Sequence, residues 1–359
     1  MNTSGIFVVL YDDQTLSLYL REGVYGFLMA PVSGPISNRS RHYHALGDYS
    51  CIRKGTHVFF FLRRKIIYGG QVSFPNDNVG AFYINGSFSP LGKNANAQIY
   101  WDESKRACYT STNIPGIFKL PNSEAEKCQP YLILFDDHLK LKGKSIISDQ
   151  LYFELGKYPY PLPTNTISNM SFCTMTPGEV NTLLKLLRNS KETFSFENEE
   201  DVRLSGDPIP FSPKYGFQDI KTAMKNAQSE AHLEAFILAN PEILPIDLQP
   251  SKTDTLCRQV PMSPFKPPKW LDKANICIYK EPYIKDGTIP NIIIELKINP
   301  IRKNDIEQAI KYLKWIDMIA EKRASEIIVY LCGPAINLSV NQNLYDEYKD
   351  RLKIIELYN

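Results

Sequence analysis

The stretch that most constrains the fold is three isoleucines at 292–294, followed directly by Glu295-Leu296-Lys297. Consecutive β-branched residues favour a buried strand. Because side chains alternate between the two faces of a strand, Leu296 shares a face with the outer isoleucines, whereas Glu295 and Lys297 share the other. A carboxylate and an ammonium group at the end of a buried strand each need a partner. A divalent cation and a phosphate would supply partners, and a plain ion pair on a surfacing strand is the alternative.

Length and composition predict a two-domain globular protein of the cytoplasm. The chain has 359 residues, a net charge of +2 and seven cysteines, none of them in a Cys-x-x-Cys pair. Scattered cysteines in odd number favour reduced thiols over a disulfide framework or a zinc site. No apolar run reaches membrane length, and the first run is too short for a signal peptide. With a nearly neutral chain, any nucleic-acid surface must be local.

Composition also divides the chain. Residues 1–190 are predicted to be a β-rich domain, because strand-length apolar runs alternate there with Gly, Asn, Asp and Pro. This domain closes with a capped helix that starts at Thr176-Pro177-Gly178-Glu179. Residues 191–214 are acidic and contain prolines, which predicts a linker. Residues 215–359 are then the second domain.

A hairpin with a basic turn is predicted at Arg63-Arg64. A lysine-glycine turn, an aromatic strand, this turn and a strand that ends in glycine follow one another. The order resembles PUA-like barrels, the group of the EVE, YTH and ASCH modules, and implies a small β-barrel that holds a flipped-out or modified base. A purely structural barrel is the alternative. Arg63 and Arg64, together with Tyr158 and Tyr160 of a proline-rich loop, are the candidate nucleic-acid contacts.

The second domain is predicted to contain helices and strands in a defined order. They are a helix over 219–240, strands at 256–260 and 274–279, the strand that ends at Glu295, a helix over 304–321, a strand at 327–331, a helix at 344–351 and an edge strand at 354–357. Glu230 and Glu234 fall on or beside the apolar stripe of the first helix, where an acid needs a partner.

Four short motifs follow one another between residues 217 and 331. They are Glu234-Ala235-Phe236, Asn240-Pro241-Glu242, Glu295-Leu296-Lys297 and Gln308-Ala309-Ile310-Lys311-Tyr312. In this order they resemble the PD-(D/E)xK nucleases, most closely the NucS-like, Mrr-like and Shedu-like branch. The resemblance implies a restriction-endonuclease-like α/β core, with a mixed sheet flanked by helices. The expected fold class is therefore α+β with two domains, a PUA-like β-barrel and this core.

The same resemblance implies a metal site. Asp272 and Glu295, with the backbone carbonyl of Leu296, would hold Mg²⁺, with Mn²⁺ as an alternative. Glu234 would be an additional or supporting carboxylate. The family places an aspartate where the strand pattern places Asn275, which offers an oxygen but no charge. Asp272 lies three residues earlier and has the opposite parity, so both can point inward only if the chain turns between them.

Three further side chains acquire roles from the resemblance. Lys297 would orient or deprotonate the attacking water and stabilise developing charge. Gln308 and Tyr312, one turn apart on the following helix, would position water or phosphate. The structural alternatives are a solvated lysine at a strand end and a partly exposed helix face.

The expected function is a Mg²⁺-dependent endonuclease of double-stranded DNA, of restriction-modification or defence type, whose N-terminal domain chooses the target. A catalytically inactive nuclease-fold module that binds DNA or RNA is the alternative from another class. A mismatch-directed or structure-directed repair nuclease shares the chemistry of the first. Cutting both strands favours a homodimer. Since no stretch has membrane length, no membrane partner is expected.

Overall fold

The computed structural model describes residues 3–27, 43–44, 47–73, 82–84, 99–102, 107–110, 131–155, 172–196, 209–211, 224–262, 272–335 and 342–357. Within these residues the chain is α+β, with two mixed sheets and a separate two-stranded sheet. None of the helices in this part of the chain combines the length and apolar character that crossing a membrane requires.

The strands and helices are numbered in chain order. The strands are β1 (Gly5–Val9), β2 (Val24–Phe27), β3 (His57–Leu62), β4 (Lys65–Val72), β5 (Phe82–Ile84), β6 (Ile99–Asp102), β7 (Ala107–Thr110), β8 (Tyr131–Asp136), β9 (Ser145–Ile147), β10 (Phe172–Met175), β11 (Ile209–Phe211), β12 (Thr255–Pro261), β13 (Lys273–Tyr279), β14 (Ile292–Leu296), β15 (Ile328–Gly333) and β16 (Leu352–Glu356). The α-helices are α1 (Asp13–Glu22), α2 (Ser148–Leu155), α3 (Pro177–Asn189), α4 (Glu230–Ala239), α5 (Lys303–Ile319) and α6 (Gln342–Tyr348).

The first sheet has the strand order β10-β1-β3-β4-β8-β5-β11, with β2 on the other edge of β8 and β9 on β4. All its pairs are antiparallel except β1 with β3. A parallel pair needs a crossover, and α1 lies on that connection. Among the described residues the sheet does not close on itself. The predicted N-terminal barrel is therefore not confirmed, and an open mixed sheet is what the structure describes.

The second sheet has the order β12-β13-β14-β15-β16. The first two pairs are antiparallel, and β14–β15 and β15–β16 are parallel. Helix α5 makes the crossover from β14 to β15 and packs on one face of the sheet, and α4 packs on the other. The predicted order of one helix, three strands, a helix and a strand is confirmed. It places β14 at the centre, where both faces are covered.

The helix predicted over 219–240 is interrupted. Residues 224–226 are helical, 227–229 are not, and α4 starts at Glu230, where the Ser229 side chain accepts a hydrogen bond from the His232 amide and caps it. Its leucine and phenylalanine positions pack on the second sheet, whereas Ala231 and Ala235 belong to the core of the first. A helix that is buried on all sides joins the two sheets.

The guanidinium of Arg258 on β12 occupies the centre of this junction. It is fully buried and donates to both carboxylate oxygens of Glu234, at 2.8 and 3.1 Å. It also donates to Asp48 at 3.0 Å and to the backbone oxygen and Nδ1 of His44. Burial has the larger effect and the nearby Arg258 charge the smaller one, and both lower the pKa of His44, to about 3. Its imidazole is therefore neutral, and Nδ1 accepts the hydrogen bond from Arg258. The proposed boundaries at 190 and 215 stay predictions, but the parts on either side share this charged cluster.

Replacing Arg258 by Met should lower the free energy of unfolding by about 3–5 kcal/mol, because Glu234 and Asp48 would remain buried without their cation. Chemical denaturation measures this loss. Arg323→Met is the matched control, because its ion pair with Glu326 is exposed and should contribute less than about 1 kcal/mol. Equal effects of the two substitutions would contradict a structural role for the buried cluster.

Candidate active site at the end of strand β14

Glu295 and Lys297 lie together at the carboxyl end of β14. The Lys297 ammonium donates to Glu295 Oε1 at 2.9 Å, and only 2% of Glu295 is exposed. The side chains of Ile294 and Leu296 pack into the core on the opposite face. The predicted division of the strand into an apolar face and a charged face is therefore confirmed.

The pKa values of both Glu295 and Lys297 are raised, for different reasons. Burial raises the pKa of Glu295 to about 7, although Lys297 opposes the shift. Burial alone would lower the pKa of Lys297, but Glu295, Glu230 and Asp305 together raise it above its usual value. The distances from Nζ to the Glu230 and Asp305 carboxylates are 3.6 and 4.0 Å. Lys297 is consequently an ammonium group at neutral pH and a hydrogen-bond donor.

Helix α5 adds two polar side chains to the pair. The Tyr312 hydroxyl lies 3.5 Å from Glu295 Oε2, and Gln308 Nε2 donates to that hydroxyl at 2.6 Å. Burial raises the pKa of Tyr312 well above its usual value, and the charges of Glu295 and Asp272 add to the shift. The i, i+4 spacing on α5 thus brings both predicted side chains to Glu295, and the Tyr312 hydroxyl lies in the field of two carboxylates.

Asn275 is engaged by the backbone of the neighbouring strand. Its side-chain oxygen accepts a hydrogen bond from the Leu296 amide at 2.8 Å, and the residue is buried. The side-chain oxygen of Asn275 therefore replaces a backbone acceptor of the sheet. It holds in place Leu296, the residue between Glu295 and Lys297. One oxygen lone pair of Asn275 is committed to this structural contact.

An irregularity between β12 and β13 decides where Asp272 lies. Gln259 on β12 lies opposite Asn275 on β13 and has a positive φ of 53°. The residue pairs on either side, Arg258–Ile276 and Val260–Ala274, are paired across the two strands, whereas Gln259 and Asn275 are not. Beyond this point Ala274 belongs to the same core cluster as Cys277, three positions away. Regular alternation would place them on opposite faces, so the chain turns between them. Continued alternation from Ala274 puts Asp272 on the Glu295 side of the sheet, and its charge adds to the raised pKa of Tyr312.

The acidic helix α4 contributes a residue other than the predicted one. Glu234 does not reach the site, because Arg258 and Gln259 hold its carboxylate. Glu230, one turn earlier, reaches Lys297 instead. The i, i+4 pair of acids was the available signal, but sequence alone did not tell which acid faces which cation.

The predicted nucleic-acid contacts lie elsewhere. Arg63 and Arg64 form the two-residue turn between β3 and β4, and their ion-pair partners are Asp13 and Asp149. Tyr158 and Tyr160 lie outside the described residues.

The donor set suits a hard divalent cation. Glu295 offers a buried carboxylate, strand alternation puts Asp272 on the same side of the sheet, and the Leu296 carbonyl at the strand end would be a third oxygen. In the described ranges no cluster of three or more His, Cys, Asp or Glu side chains has metal-binding geometry. The carbonyl and two carboxylates fall outside that pattern, and oxygen-only sites of few protein ligands are typical of Mg²⁺.

Neither a protein-family model, nor a curated protein, nor a solved structure matches this chain. Its functional interpretation therefore depends on the residues of the site.

Replacing Glu295 by Gln should stabilise the fold at neutral and alkaline pH. The pKa of Glu295 is about 7 in the folded protein and 4.5 ordinarily, so the folded state binds the extra proton and stability is lost as pH rises between these values. The non-titrating variant avoids this loss. Its advantage should grow from pH 4.5 to 7 and reach up to about 3 kcal/mol.

Denaturant unfolding of both proteins across pH 4–8 measures this difference. Glu326→Gln, at an exposed surface pair, is the control and should show no such trend. If the difference in unfolding free energy between the two proteins did not change with pH, burial would not raise the pKa of Glu295, and the prediction would be wrong.

Proposed function

We propose that the chain is a Mg²⁺-dependent deoxyribonuclease that hydrolyses phosphodiester bonds of double-stranded DNA, of restriction or defence type. The observation that carries the proposal is the Glu295–Lys297 pair on the central strand, with Asp272, Gln308 and Tyr312 on the same face. A buried carboxylate beside an ammonium group, in a site with two hydroxyl or amide donors, matches what water activation next to a phosphate requires.

Mg²⁺, when bound, polarises the scissile phosphate and lowers the pKa of a coordinated water. Asp272 and Glu295 would hold it, with the Leu296 carbonyl as a third ligand. The high proton affinity of Lys297 changes the role expected from sequence. Lys297 keeps its proton and therefore orients the attacking water and stabilises negative charge on the phosphate, rather than acting as the base.

The pair on α5 holds the site in place. Gln308 donates to the Tyr312 hydroxyl, which leaves the hydroxyl proton directed at Glu295 Oε2. This chain fixes one carboxylate oxygen, while Lys297 fixes the other at Oε1. A carboxylate constrained on both oxygens presents its lone pairs in one orientation.

Target choice is assigned to the N-terminal part of the chain. Hydrolysis at a metal centre contacts phosphates, which carry no sequence information, so selectivity requires base or shape contacts from elsewhere. Whether the role is restriction or mismatch repair depends on those contacts.

A second candidate function is a nuclease-fold module that binds DNA or RNA without cutting it. The observation that favours it is the amide of Asn275, which is bound to the Leu296 backbone at the position where the resembling family has an aspartate. In that case Asp272 would not complete a metal site, and Lys297 would serve only as a phosphate contact.

Glu295→Gln and Lys297→Met should each reduce plasmid cleavage at least about 100-fold, because metal ligation or charge stabilisation is lost. DNA affinity should change little, since phosphate contacts elsewhere remain. Cleavage with Mg²⁺ and a binding titration at fixed salt measure the two effects. Lys353→Met on the edge strand β16 is the matched control for lysine removal. Full activity of either site variant would refute the assignment.

Asp272→Asn should abolish Mg²⁺-dependent cleavage, whereas Asn275→Asp should leave it within a few-fold of the natural protein. An aspartate at 275 still accepts the Leu296 amide hydrogen bond and need not turn towards the cation. Initial rates across a Mg²⁺ titration separate ligand loss from other effects. A large gain in cleavage by Asn275→Asp would instead favour the non-cutting alternative.

A further inference from the structure

The hairpin turn between β3 and β4 has an unfavourable backbone. Both of its residues, Arg63 and Arg64, have positive φ, at 48° and 66°. Turns of this kind favour Asn and Gly, because other residues in the left-handed region cost of order 1 kcal/mol each. Arg63 and Arg64 are also largely exposed, with 70% and 73% of each side chain accessible. The strained turn therefore presents two guanidinium groups to solvent.

Three exposed apolar side chains lie next, in sequence or in strand pairing, to residues that contact this turn. They are three of the five large hydrophobic residues that are exposed in the described part of the chain. Tyr11, 78% exposed, lies two residues before Asp13, the partner of Arg63. Phe153, 74% exposed, lies one turn beyond Asp149 on α2, and Ile147 pairs with Lys65. Tyr, Phe and Arg together are the composition of protein interface centres.

The surface around the turn carries equal numbers of positive and negative side chains. Three cations, Arg63, Arg64 and Lys65, face three acids, and all six side chains are at least half exposed. The acids are Asp13, Asp149 and Glu192. A neutral surface whose cations already have acidic partners gives a polyanion little attraction, so the expectation that the arginine turn contacts DNA is not favoured by its surroundings.

A second copy of the same chain fits the surface better. In a two-fold dimer the same patch meets itself, so a patch that holds both members of each ion pair can exchange partners between copies. A hollow of about 390 Å³ also lies on this surface, and it is lined by Phe153 together with Asp149, Gln150, Glu154 and Leu186. Exposed rings and a hollow on one surface allow each copy to offer a side chain and receive one.

We propose that the surface formed by Tyr11, Asp13, Arg63, Arg64, Lys65, Ile147, Asp149, Phe153 and Glu192 is a homodimer interface, in which arginines of one copy pair with aspartates of the other. It lies on the first sheet and its helices and shares no residue with the Glu295 site. The inference stands independently of the proposed nuclease activity, and association is measured without a cleavage assay.

Sedimentation of the full-length protein over a range of concentrations tests this proposal. The natural chain should reach a dimer, and Phe153→Glu should raise the dimer dissociation constant at least tenfold. Met318→Glu is the matched control, because Met318 is 67% exposed on α5 and lies outside the surface. A natural chain that is monomeric at all concentrations, or equal effects of both variants, would overturn the interface.

Charge reversal distinguishes pairing between copies from pairing within one copy. Arg64→Asp and Asp149→Arg should each be monomeric alone, since like charges then meet across the two-fold axis. Mixed in equal amounts, they should form heterodimers, because each acid of one chain meets an arginine of the other. Within either chain the reversed pair remains repulsive, so only an intermolecular contact explains rescue on mixing.

Circular dichroism of each variant confirms that the fold is retained. Failure of the mixture to associate, with both variants folded, would overturn the proposal. Loss of DNA affinity in Arg64→Asp without any change in association would identify the surface as a nucleic-acid contact instead and would also overturn it.

Discussion

The burial of Glu295 beside Lys297 is the constraint on which the site depends. A carboxylate that is almost fully buried at the end of a central strand is destabilising unless its oxygens are engaged. Lys297 engages one oxygen and Tyr312 the other. Asn275 fixes the backbone between them. The raised pKa of Glu295 records the remaining cost, which a bound cation would relieve.

Helix α4 connects the Glu295 site to the buried Arg258 cluster. Glu230 at its start reaches Lys297, and Glu234 one turn later reaches Arg258. Through Arg258 the helix is connected to Asp48 and, by the Arg258 backbone N–H that donates to the Thr174 hydroxyl on β10, to the first sheet. The helix that helps to set the charge of Lys297 is thus held by residues of both sheets. The first and second sheets therefore share a buried, charged junction.

Much of the structure around the second sheet could be predicted from local patterns. The isoleucine run specified β14 and its two faces, and Gln308 and Tyr312 met at Glu295 because their spacing is one helical turn. In the N-terminal part, the capping box at Thr176 likewise marked the start of α3, and both of its reciprocal hydrogen bonds are formed. In each case the signal and the contact lie within a few residues of each other.

The failures have non-local causes. The positive φ of Gln259 lies on the neighbouring strand, so the sequence around Asp272 gave no sign that alternation would reverse there. The choice between Glu230 and Glu234 depended on Arg258, which lies on β12, beyond the helix. The parallel pairing of β1 with β3 depends on a crossover by α1, and strand-length runs alone do not distinguish such a sheet from a barrel.

Asp272 and Glu295 are proposed to form one cation site. Crystals of the natural protein grown with Mn²⁺, and measured at the manganese absorption edge, test it most directly. If the two residues share one cation, a single strong anomalous peak is expected between the two carboxylates, within ligand distance of the Leu296 carbonyl oxygen. A peak held by other residues, or no peak at saturating Mn²⁺, would contradict it.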